Sequence, residues 1–181
     1  MSAAHASSIA VPFRTVRAQT LAGALALAAA VALPQAVHLA GGPALAQALL
    51  PMYLPVMIVG LLAGPRVGAV VGTASPLVSF ALTGMPMAAL LPAITVQAAA
   101  CGVVAGLVGR TAWHPIAKAL AIVAAGYAAS LAFVLVAGLL TNAAWAGSPA
   151  AWWAALVVGV PGIVAQLVLL PFVAAWARHQ A

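Results

Sequence analysis

Two glutamines set the chemistry this sequence can perform. Gln97 and Gln166 each stand inside a long apolar run, where an amide is costly unless its hydrogen-bonding groups are paired. Each therefore either bonds a neighbouring helix or binds a ligand. Tyr53, His38, Asn142 and Trp145 add a phenol, an imidazole, a second amide type and an indole near the ends of apolar runs. Together with Gln97 and Gln166 they are the candidate substrate-binding residues, a set that offers hydrogen bonds and a flat aromatic face without fixed negative charge. Other readings stand beside this one: His38 as a solvated loop residue, Tyr127 as packing, and Trp145, Trp152 and Trp153 as an interfacial aromatic belt.

The chain contains no Asp or Glu. Carriers driven by protons or sodium generally place such a carboxylate in the membrane, and acid–base catalysis on a carboxylate pair is excluded outright. There is no G-x-x-x-x-G-K-[ST] loop for ATP and no H-E-x-x-H pair for zinc. Cys101 has no histidine near it in sequence to activate it as a nucleophile. A non-enzymatic chain with no cofactor and no metal is expected, and uphill movement of a solute would need an outside source of energy.

The elements that must position these residues are membrane helices. Hydrophobic residues make up 67% of the 181 residues, charged residues 3%, and the mean hydropathy is +1.23; an aqueous surface cannot be built from that composition. The apolar runs are continuous rather than alternating, which favours helices over a barrel. They fall at about 18–33, 52–63, 67–82, 88–108, 116–140 and 152–176. The first is expected to stop at Pro34, leaving an outer loop at 34–51 that carries His38 and Gln47. The second and third are short for a membrane and interrupted by Pro and Gly, as helices lining a cavity often are.

The six basic residues fit that order. Arg14 and Arg17 precede span one, Arg66 separates two and three, Arg110 and Lys118 separate four and five, and Arg178 follows six. All fall on one side, so the positive-inside rule puts both termini in the cytoplasm. The expected protein is an all-α, multi-pass protein of the cell inner membrane, with a loose cytoplasmic tail at 1–13 and one six-helix transmembrane domain at 14–181. A competing reading takes Arg14, Arg17, the run 21–33 and Pro34-Gln35-Ala36 as a cleavable signal peptide; a retained helix is preferred because cleavage would weaken the charge pattern.

Small residues recur four apart: Ala22, Ala26 and Ala30; Ala24 and Ala28; Gly60 and Gly64; Gly68 and Gly72; Gly102 and Gly106. That spacing lets helices approach closely in lipid, within the chain or against a partner.

Three segments carry a family likeness: Leu50 through Pro65, reading LPMYLPVMIVGLLAGP; Ser75-Pro76 with Thr83-Gly84-Met85-Pro86; and Pro161 through Gln166, reading PGIVAQ. In order and spacing, from about residue 20 to 176, the chain resembles the substrate-specific S components of energy-coupling factor (ECF) transporters. The resemblance implies a six-helix bundle that captures a vitamin or vitamin precursor from outside. It also implies a transmembrane coupling subunit and two ATPase subunits that drive uptake by toppling the S component, with the first outer loop as a lid. Ala24 and Ala28 match the A-x-x-x-A contact such proteins present to the coupling subunit. Two positions depart from the pattern: Tyr53 stands where relatives carry His, and Gln97 where they carry Glu. A neutral, flat, hydrogen-bonding ligand suits Tyr53, Gln97, Asn142, Gln166 and a nearby Trp. A self-sufficient carrier or channel, or a structural membrane protein, are the alternative functions.

Overall fold

Thr15 starts the first helix: its hydroxyl accepts the Ala18 N–H at 3.2 Å, and α1 then runs Val16–Leu49. The computed structural model describes residues 13, 15–141 and 148–179, and the secondary structure among them is helical throughout. The expected stop at Pro34 does not occur. One missing N–H can be absorbed inside a membrane helix, and the break falls instead at Gly42, with φ 74° and ψ −174°. Pro43 disfavours the helical conformation in the residue before it, and Gly42 can take the positive φ that results. The segment expected as an outer loop at 34–51 is therefore largely helical, and His38 and Gln47 sit on helix. The arm beyond the break, 43–49, ends at Leu50 in the left-handed region.

α2 (Tyr53–Ala63) has 11 residues, about 16 Å of helix, or roughly half the hydrocarbon core of a bilayer. Eight of those residues are buried, so this short helix is enclosed by its neighbours α1, α3, α4 and α7. Gly64, at φ 96°, turns the chain into α3 (Pro65–Thr83), whose first position is a proline. α4 (Leu91–Gly109) and α5 (Pro115–Thr141) follow.

The last span, expected as one helix over 152–176, is two. α6 (Pro149–Val158) is capped by the Ser148 hydroxyl, which accepts the Ala151 N–H at 3.1 Å. α7 runs Val160–His179. The division sits at Gly159, one residue before Val160-Pro161, where the proline cannot supply a backbone N–H. Leu50 packs on Gly159, and the Leu49 carbonyl abuts Gly162, so the arm of α1 meets the junction of α6 and α7. Among the described residues five helices (α1, α3, α4, α5 and α7) are long and apolar enough to cross a membrane; α2 and α6 are shorter.

Glycine brings the centre together. A Cβ on Gly60 or Gly68 would strike the Gly102 carbonyl, one on Gly72 the Ala98 carbonyl, and one on Gly106 the backbone of Gly64-Pro65. The four-residue glycine spacings are thus used inside the chain, to join α2, α3 and α4 at backbone contact. Ala30 is fully buried, with Ala22 and Ala26 beside it in the cluster that α1 forms with α2 and α3. Ala24 and Ala28 point away from that cluster and are exposed.

The described basic residues gather at one end of the bundle. Phe13 donates its N–H to the Leu62 carbonyl at 3.2 Å, holding the start of α1 to the end of α2. The Arg110 guanidinium lies over Gly64. Lys118 Nζ donates to the Gly109 carbonyl at 3.3 Å, and Arg178 is within electrostatic range of Lys118.

Candidate functional site

The polar residues of the bundle form a seam that begins at α2 and passes through α4 and α5 to α6. Tyr53 occupies the first turn of α2, buried in the cluster that also contains Cys101 of α4, with Tyr127 of α5 packed against it. Gln97 lies one helical turn before Cys101, so both face α5. Gly126 makes that approach possible: a Cβ there would strike the Cys101 sulfur and lie 3.5 Å from the Gln97 side chain. The Gln97 side chain lies within electrostatic reach of the Tyr127 hydroxyl.

Tyr127 passes the seam to α6. Its ring meets Trp152 edge to face, with centroids 6.2 Å apart and planes at 78°, an arrangement the ring quadrupoles favour. Trp152 Nε1 donates to the Ser130 hydroxyl at 2.8 Å, and that hydroxyl donates to the Tyr127 carbonyl at 3.1 Å. Trp152 therefore belongs to the seam, although its position in sequence also suits an aromatic belt. Trp153, 61% exposed, has the belt's exposure.

Gln166 approaches from α7. It is 3% exposed and shares its helix face with Gly162, Leu170 and Ala174. Leu170 and Ala174 belong to the same core cluster as Tyr53 and Cys101, and Ile163 and Leu167 pack against it. The Gln166 Nε2 is buried with no hydrogen-bond partner.

Of the other sequence candidates, His38 is on α1, half-buried, with Nδ1 enclosed and unpartnered, and no described contact joins it to the seam. Asn142 and Trp145 lie outside the described residues. Ala24 and Ala28 are on the exposed face of α1. Two seam members were not among the candidates, Ser130 and Trp152, and Tyr127 carried only its packing role. The available signal was the cluster Gly126, Tyr127 and Ser130 in an otherwise apolar stretch of α5.

Lys118 is also placed differently from a solvated interfacial cation. It is 1% exposed, and its bond to Gly109 satisfies a carbonyl at the C-terminus of α4.

A separate, apolar groove of about 350 Å3 runs between α1 and α2, and none of the described candidate site residues lines it. Polar seam and groove are distinct features.

No protein-family model matches the chain, and neither a curated protein nor a solved structure is significantly similar to it. The fold and composition define a helical, multi-pass membrane protein. Within it the seam offers amide, phenol, hydroxyl and indole groups, all neutral among the described residues, and the unpartnered Gln166 donor lies on a face of α7 that packs on the same core cluster.

Proposed function

We propose that this chain is the substrate-binding subunit of an ECF-type importer, capturing a vitamin or vitamin precursor for uptake powered by partner proteins. The observation that carries the reading is the Gln166 amide. A buried donor without an acceptor costs on the order of 1–3 kcal/mol, and this one lies on the helix face that joins the Tyr53 and Cys101 cluster. A ligand carbonyl or ring nitrogen would satisfy it. The neutral groups of the seam, Gln97, Tyr127, Ser130 and Trp152, suit an uncharged, flat ligand rather than an ion.

The same reading places the protein in the inner membrane with six crossings and both termini in the cytoplasm. α1, α3, α4, α5 and α7 would be full crossings and α2 a shortened one. The basic end, with Arg17, Arg66, Arg110, Lys118 and Arg178, would face the cytoplasm. A coupling subunit would dock on the exposed Ala24 and Ala28 face of α1, and two ATPase subunits would supply the energy. The chain itself would catalyse no reaction.

The test is mild-detergent purification of the tagged protein from its native membrane, with mass spectrometry of co-purifying proteins. Recovery of a membrane coupling protein and an ATPase pair is the expected result. If the chain emerges alone, and liposomes containing it alone pass solutes, it is a self-sufficient carrier or channel and the importer reading fails.

A further inference from the structure

We propose that the groove between α1 and α2 is a binding site for one anionic phospholipid, its acyl chain lying in the groove and its phosphate held by arginines at the basic end. The groove holds about 350 Å3, and the described residues that line it are all apolar, among them Ala22, Ala26, Ala29 and Leu33 of α1 and Leu54 and Ile58 of α2. Leu25 and Leu33 on its rim are exposed, so it opens to the surroundings of the bundle. From Ala22 to Leu33 the α1 wall rises about 16 Å, roughly one leaflet's share of the hydrocarbon core.

Those dimensions favour a lipid chain over a partner's helix. A 16 Å length of helix, about 10 Å across, would displace on the order of 1,200 Å3, several times the groove's volume.

Charge decides which lipid. The groove runs toward the end of the bundle where Phe13 meets Leu62; at that end Arg17 lies in the first turn of α1, Arg66 in the first turn of α3, and the Arg110 guanidinium covers Gly64 at the end of α2. All three arginines are exposed. The chain has no Asp or Glu, so no acidic side chain neutralises this group. A phosphate would do so, and guanidinium forks match its oxygens. Basic pockets between membrane helices commonly hold anionic headgroups, each cation contributing about fivefold in affinity.

The experiment measures lipid retained by the full chain after delipidation in detergent and incubation with phosphatidylglycerol or phosphatidylcholine, counted by native mass spectrometry. About one phosphatidylglycerol per chain is expected, at more than tenfold lower concentration than phosphatidylcholine requires. The pair Arg17→Gln and Arg66→Gln should weaken phosphatidylglycerol retention roughly twentyfold. Ala29→Phe should fill the groove and abolish retention while leaving the melting temperature of the lipid-free protein unchanged. Equal retention of the two lipids, or retention unaffected by both sets of substitutions, would mean ordinary annular lipid and overturn the proposal. So would a crosslink from cysteine introduced at Ala29 to a partner protein in native membranes with no phospholipid retained.

Discussion

Gly68 of α3 and Gly102 of α4 meet backbone to backbone: a Cβ on either would collide with the carbonyl oxygen of the other. Gly60 of α2 reaches the same Gly102 carbonyl, so one residue fixes the approach of three helices. Where apolar lipid removes any hydrophobic drive between helices, such close contact supplies the association energy.

Gly102→Ala should therefore destabilise the fold by about 1–3 kcal/mol, the range for overpacking a tight core, read as a lowered unfolding midpoint in detergent. Gly138→Ala is the control. Nothing lies within 4 Å of a Cβ there and its φ is not positive, so helix propensity alone should leave stability unchanged or raise it by up to about 1 kcal/mol.

The Ser130 and Trp152 pair ties α6 to α5. Ser130→Ala leaves the indole N–H without its acceptor and should cost about 1 kcal/mol. Trp152→Phe removes the donor and should cost a similar amount or more, through the lost contact with Tyr127. Because the two share one bond, the double variant should be less destabilised than the sum of the singles. Additive effects in a double-mutant cycle would show that the bond contributes nothing.

Two faces of α1 should respond oppositely to enlargement. Ala30→Leu places a larger side chain at a fully buried position and should lower stability by about 1–3 kcal/mol. Ala24→Leu with Ala28→Leu alters only the exposed face, and should leave the isolated chain's melting temperature unchanged. In the native membrane it should reduce recovery of the proposed coupling subunit, measured by co-purification.

Hydropathy was enough to find the helices where lipid alone sets their length. The runs expected at 67–82, 88–108 and 116–140 became Pro65–Thr83, Leu91–Gly109 and Pro115–Thr141, bounded by the same Gly, Pro and basic residues that marked them in sequence. Proline positions misled. Pro34 is carried within α1, while Gly42, before Pro43, breaks it at a positive φ that glycine takes freely and Leu33, before Pro34, does not. The seam was half legible. Gln97 and Gln166 stood out as polar residues in apolar runs, but the Ser130–Trp152 bond joins residues 22 apart in sequence, and only the packing of α6 on α5 creates it. The burial of Lys118 was hidden for the same reason, since its acceptor, Gly109, lies across the turn between α4 and α5.

The most direct test of the proposed ligand site replaces Gln166, the buried amide with a free donor among the described residues. Wild-type protein and Gln166→Leu would be purified in parallel from native membranes, and the small molecules each releases on denaturation quantified by mass spectrometry. One stoichiometric metabolite should leave the wild type and be depleted at least tenfold in Gln166→Leu, whose unfolding midpoint should be equal or higher because an unpaired buried polar group has been removed. If the variant retains the metabolite in full, or if it loses stability as it would on breaking a helix-to-helix hydrogen bond, Gln166 is a packing residue and the ligand site is not at this seam.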